Sequence, residues 1–146
     1  ALLGKYDIPA QLMEVEVTES VDLEGSSEAM AEILQLRAAG VSIALDDFGT
    51  GHSSLSYLQQ LPLDIVKIDQ SFVRRIQPAE GPGNSILRAI IALAKALHLE
   101  IIAEGVETEE QHNWLAAEGC DIAQGYLHGK PVDRLEFEQR YLRQSA

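Results

Sequence analysis

Between residues 13 and 18 apolar and polar positions alternate. Met13, Val15 and Val17 fall on one side and Glu14, Glu16 and Thr18 on the other, the period of a β-strand. The period lengthens over residues 27–39, where Met30, Ile33, Leu34 and Leu36 to Ala38 predict a helix. Ser26 or Ser27 would cap it and Gly40 would stop it. Residues 41–45 predict a second strand ending at Asp46 and Asp47. A short helix capped by Ser53 or Ser54 then runs to Gln60 and closes at Leu61-Pro62. A third strand covers 65–68, and the Pro- and Gly-rich stretch 77–83 reads as a loop. Residues 85–97 predict a helix with Ile86, Ile90, Leu93, Ala94 and Leu97 on its apolar side. The pattern closes with a strand at 101–103, a helix at 109–117 ending at Gly119, a brief strand at 122–123 and a helix over about 134–143.

Strands alternating with helices imply an α/β fold with a parallel sheet built from βα units. Within that frame the polar residues collect at one place. Glu16 and Glu19, Asp46 and Asp47, Lys67 and Asp69, Glu104 and Glu107, and Gln124 read as lying at or just past the C-terminal ends of five successive strands. That edge is where parallel α/β folds bind ligands.

The 146 residues, 46% hydrophobic and 23% charged, suit one ordered domain with its own core. A net charge of −12 argues against a nucleic acid polymer held on a basic face. A small phosphate ester would need cations between it and such a protein. Cys120 is the only cysteine, so no internal disulfide can form, which fits a reducing cytoplasm. No apolar run is long enough to cross a bilayer, and the first residues lack the pattern of a signal peptide. An upstream tether is left open.

Two adjacent carboxylates, Asp46 and Asp47, repel unless a cation lies beside them, and oxygen-rich clusters suit Mg²⁺ or Mn²⁺. Alternatively, one aspartate ends the strand and the other makes a turn with Gly49. Gly49, Thr50 and Gly51 either let the backbone approach a phosphate or only permit a tight loop. Lys67, inside an apolar strand, needs an acidic partner such as Asp69 or Asp46, or a phosphate oxygen. Glu107 and Glu109 read as charges at a helix start, and Gln124 could bind a base, a phosphate or a loop carbonyl. The four histidines are scattered and make no ligand set.

Several of these stretches together resemble the EAL domain of bacterial cyclic di-GMP-specific phosphodiesterases. They are Glu14-Val15-Glu16-Val17-Thr18-Glu19-Ser20, Ala44-Leu45-Asp46-Asp47-Phe48-Gly49-Thr50-Gly51-His52-Ser53-Ser54-Leu55 and Leu63-Asp64-Ile65-Val66-Lys67-Ile68-Asp69. Ala103-Glu104-Gly105-Val106-Glu107-Thr108 and Gly119-Cys120-Asp121-Ile122-Ala123-Gln124-Gly125-Tyr126 follow in family order. The resemblance implies a (β/α)₈ barrel of TIM type, two divalent cations, Mg²⁺ or Mn²⁺, and hydrolysis of cyclic di-GMP to linear pGpG. It implies that Glu16 is a metal ligand, that Asp46 contacts both metals, and that Asp47 and Glu104 complete the second metal's shell. Lys67 would hold the attacking water or the phosphate, and Glu19 would brace the loop after the aspartates. Gly49, Thr50, Gly51, Asp69, Glu107 and Gln124 would support loop or substrate.

The family's Glu-Ala-Leu strand and the Asn-bearing strand after it are not among these residues. Residues 1–146 therefore count as the C-terminal part of one EAL domain, about the last five of eight βα units. The barrel would stay open or be completed by another chain. Lacking two ligands of the first metal, the chain by itself is expected to be inactive, while its parent domain hydrolyses cyclic di-GMP. A non-catalytic cyclic di-GMP receptor or interaction module is one alternative, and a flavodoxin-like sheet sharing these motifs is another. The resemblance also implies a homodimer and a parent carrying sensory or diguanylate-cyclase-like domains.

Overall fold

A computed structural model describes residues 2–18, 27–49, 58, 61–77 and 81–142. It opens with a short helix α1 (Leu2–Tyr6) and a 3₁₀ turn at Ala10–Leu12, ahead of strand β1 (Glu14–Thr18). Then follow α2 (Ser27–Ala38), β2 (Ser42–Phe48), β3 (Ile65–Ile68), α3 (Gln70–Val73), α4 (Pro82–Ala96), β4 (Glu100–Glu104), α5 (Glu109–Glu118) and β5 (Ile122–Gln124). The last helix, α6 (Arg134–Phe137), runs on into a π-helical turn at Glu138–Leu142. Of the expected helix before Gln60 only Leu58 is described, and it is helical and buried.

The five described strands form one parallel sheet in the order of the chain, β1-β2-β3-β4-β5. Doubly wound sheets reverse direction at a switch point, so an order without reversal belongs to a barrel wall and excludes the flavodoxin-like alternative. The architecture is α/β, a partial barrel.

Alternation along each strand separates the two faces. Ile43, Leu45, Val66, Ile68, Ile101 and Ala103 face the helices and join Ile33 of α2, Leu87, Ile91 and Ala94 of α4 and Leu115 of α5 in one core. On the opposite face Ala44, Ile65 and Ile102 make a small second cluster.

Several expected boundaries and faces move. Helix α4 begins at Pro82 rather than residue 85, with Gly81 at its N-cap. Proline is at home in a helix's first turn, where its missing N–H is not needed. The buried side of α4 is Leu87, Ile91 and Ala94, while Ile86 is exposed. Leu34 and Leu36 of α2 are exposed too, leaving Ile33 as that helix's buried anchor, with Met30 packed partly against the core. Strand β2 does not end at the aspartates but runs through both to Phe48, and α3 was not anticipated.

Candidate functional site

Lysine 67 stands third in β3, a strand whose four residues are all buried. An ammonium in such a place must find anionic partners or lose its proton. It finds three. Nζ lies 2.7 Å from Glu104 Oε1 and 3.6 Å from Asp46 Oδ1, and it donates a hydrogen bond to Glu16 Oε1. The sheet register accounts for this convergence. Glu16 is level with Ala44 and Ile65, one step below Lys67 on their common face, and Ile102 is level with Lys67, so Glu104 stands one step above. Ala44, on the intervening strand, carries only a methyl group, over which the long Glu16 side chain reaches Lys67.

Burial alone would pull the lysine's pKa down. The hydrogen bonds to Glu104 and Glu16 and the charges of Glu104 and Asp46 outweigh it and hold the ammonium above the ordinary lysine value. Glu14, below Glu16 on the same face, is pushed up from the usual carboxylate range by burial. The Lys67 charge partly offsets that push, and the nearby Glu16, Glu100 and Asp46 add to it.

The paired aspartates separate because of a bulge. Leu45 pairs with Val66 and Phe48 with Ile68, so β2 spends one residue more than β3 over this interval. Asp47 takes up the excess with φ of +55° and is exposed, whereas Asp46 points to the lysine. The notion that one aspartate merely ends the strand is therefore corrected. Among the described residues nothing donates a hydrogen bond to the buried Asp46 Oδ1, the lysine at 3.6 Å being an ionic neighbour too distant to do so.

Asp69 is not a partner of Lys67. Its carboxylate accepts from the backbone N–H of Ser71 at 2.9 Å and caps α3. The start of α5 is capped by Thr108 with Gln111 in a reciprocal capping box. Glu109 lies in the helix's first turn, and Glu107 precedes the cap and faces Arg74 at 3.7 Å. Gln124, the last residue of β5, is exposed. With Gln70, Arg74, Glu104, Glu107 and Tyr126 it lines a cleft of about 260 Å³ beside the lysine cluster. Gln70, Arg74 and Tyr126 were missed as candidates, although Gln70 and Tyr126 sit immediately beside flagged strand ends. Glu19, Thr50 and Gly51 lie outside the described residues. Two of the scattered histidines do meet: His112 and His128 pack edge to face with ring centres 5.2 Å apart.

Can these residues suit divalent cations? Glu16, Asp46 and Glu104 set three carboxylates against one ammonium, leaving excess negative charge, and Asp46 keeps an undonated buried oxygen. With Asp47 adjacent, the donors are all hard oxygens, the chemistry that Mg²⁺ and Mn²⁺ select. Among the described residues no three His, Cys, Asp or Glu side chains are gathered around one point as a metal shell. The cation the carboxylates clasp here is Lys67. The donor chemistry fits.

The EAL domain family model matches residues 1–131 of this chain. The chain belongs to the EAL domain family. The cyclic di-GMP phosphodiesterase NbdA of Pseudomonas aeruginosa is 43% identical over 137 residues, covering 94% of this chain and 17% of NbdA. Among solved structures, the PaMucR phosphodiesterase in complex with c-di-GMP superposes with a TM-score of 0.83 at 39% identity, over 92% of this chain and 54% of that one. The manganese/cy-diGMP complex of Klebsiella pneumoniae BlrP1 gives 0.73 at 33% identity, over 86% of this chain and 32% of that one. The chain spans less than a quarter of the length of the curated relatives it matches. Among the described residues, no helix is long and apolar enough to cross a membrane.

Proposed function

We propose that this chain is the C-terminal part of an EAL phosphodiesterase domain whose complete form hydrolyses cyclic di-GMP to linear pGpG. The observation that carries the reading is the buried Lys67 clasped by carboxylates from three other strands on the inner face of a parallel barrel wall. Such a site is built to hold cations against a phosphate. Glu16, Asp46, Asp47 and Glu104 would hold two divalent cations, Mg²⁺ or Mn²⁺. When bound, these supply positive charge and make water more acidic near neutral pH.

The chain's own residues then do the rest. Lys67 keeps its proton and orients the attacking water or a phosphate oxygen, adding charge stabilisation where it develops. The water oxygen forms a bond to phosphorus and loses a proton. The opposite P–O ester bond breaks, and the departing ribose oxygen takes up a proton. Arg74, Gln70, Gln124 and Tyr126 offer a cation, two amides and an aromatic face to the remainder of the ligand in the adjoining cleft. Glu107, beside Arg74, supports that wall. The unpaired Cys120 supports a cytoplasmic setting. The multidomain names among relatives, such as the bifunctional MucR of Pseudomonas aeruginosa, support additional attached domains.

The complete protein carrying this sequence, incubated with Mn²⁺ or Mg²⁺ and cyclic di-GMP, should release pGpG. Folded complete protein that binds the dinucleotide without turnover would make it a receptor, and neither binding nor turnover would refute the reading. The 146-residue chain alone should hydrolyse little.

A further inference from the structure

Two residues of the helix after Lys67 lie against glycines that follow the acidic ends of β2 and β4. Helix α3 starts three residues beyond the lysine and is pinned there by the Asp69 cap. From it the Phe72 ring lies against Gly49, so that a Cβ on Gly49 would fall 2.8 Å from Phe72 Cζ and 2.9 Å from Cε2. A second contact follows the same plan. A Cβ on Gly105, the residue after Glu104, would fall 2.5 Å from Gln70 Cβ. Gly49 has φ of +94° and stands two residues from Asp47, itself at +55°, just past the bulge that turns Asp46 toward Lys67. Glycine takes up such a φ freely, whereas Asp47 keeps its left-handed backbone only where the surroundings impose it.

We propose that Phe72 is a positioning residue for the two aspartates. Its ring, packed on the bare Cα of Gly49, fixes where β2 ends and thereby the bulge at Asp46-Asp47. Because α3 is joined to Lys67 through Asp69, the same contact sets the aspartates relative to the lysine. The catalytic part of this inference rests on the phosphodiesterase reading above, while the positioning part rests on the contact alone.

The test uses the complete protein. Phe72→Leu withdraws the ring, and Phe72→Tyr crowds the contact by adding an oxygen on Cζ, the atom nearest the position of a Cβ on Gly49. Each single variant should lower kcat by about tenfold to a hundredfold, the scale of an ångström misplacement, with KM for cyclic di-GMP within about twofold. A crystal structure of Phe72→Leu should show Asp47 out of the left-handed region or the β2–β3 register altered. Wild-type turnover in Phe72→Leu or an unchanged bulge would overturn the proposal. The crystallographic readout needs no turnover, so an inactive unmodified protein would refute the phosphodiesterase reading and leave Phe72 to be decided by the bulge.

Discussion

The two ends of the barrel wall both carry acidic side chains, and they use them in opposite ways. At the N-terminal ends of the strands two carboxylates, Asp64 and Asp121, each serve a neighbour's backbone. Asp64, just before β3, accepts from Ile43 N–H of β2 at 3.1 Å and pairs with Arg37 at 2.8 Å. Asp121, just before β5, accepts from Ile101 N–H of β4 at 2.9 Å. The device repeats two strands along, tying the last residue of each of these two crossovers to the preceding strand. At the C-terminal end the carboxylates of Glu16, Asp46 and Glu104 gather on one lysine, and a buried oxygen of Asp46 accepts no hydrogen bond from the described residues. A carboxylate at a strand end therefore does not mark a site. Like charges brought together and left under-donated do, because that arrangement costs stability without a ligand and is relieved by one.

Replacing the lysine should give the largest effect. In the complete protein Lys67→Met should lower kcat about 10²–10³-fold, as when a charge-stabilising donor is removed from an enclosed site. Mn²⁺ binding should persist, because loss of the ammonium leaves the carboxylates with more negative charge than before. Calorimetric titration with Mn²⁺ alongside a turnover assay separates the two. Turnover within a few-fold of the unmodified protein would show that the cluster at this end is structural, like the aspartates at the other.

The contrast sharpens when one aspartate from each end is removed. Asp64→Ala leaves the Ile43 N–H without its acceptor and should cost about 1–3 kcal/mol in urea unfolding, with turnover unchanged. Asp46→Ala should abolish most turnover yet cost little stability, because it relieves crowding between carboxylates rather than breaking a hydrogen bond. Should both variants lose stability equally and keep activity equally, the two ends would not differ in kind.

The parallel sheet and the residue types around Lys67 were legible in the sequence because they follow short periods, while the order of the strands came only with the family resemblance. Two-residue alternation in β1 and β3 puts Glu16 and Lys67 on one face, and β1, β2 and β4 carry the acids that reach it. Features that depend on how two distant segments meet were not legible. The bulge at Asp47 exists only relative to the register of β3, so β2 read from its own pattern stopped too soon. Asp69 looked like a partner for Lys67 by parity, but a capping bond to Ser71 two residues on outcompetes that contact. Helix α3 is four residues long, too short for a helical period to show. Gln70 and Arg74 reach the cleft only through it. His112 and His128 are sixteen positions apart on unrelated elements and meet through tertiary packing alone.

The smallest effect belongs to the quieter end, at Cys120. Burial pushes the thiol's pKa up from its ordinary value. Hydrogen bonds with the backbone of Ile122, Ala103 and Asp121 counter this in part, and the Asp121 charge adds to the push. Sγ lies 3.4 Å from the Ile101 carbonyl oxygen and 3.3 Å from that of Ile122, partners that a protonated thiol can satisfy and a thiolate cannot. Native protein at neutral pH should therefore react with iodoacetamide at least about tenfold more slowly than urea-unfolded protein, since the thiolate is the nucleophile. The sign of the pH dependence follows. With the folded value above the unfolded one, this thiol's contribution to stability is complete below the unfolded value. It fades as pH climbs through the folded value. Cys120→Ala should thus lose less stability on the alkaline side than the natural protein does, by a margin measurable in paired urea melts. Equal alkaline slopes, or a native thiol labelled as fast as the unfolded one, would mean that Cys120 is open to solvent and that this end of the wall is looser than its hydrogen bonds indicate.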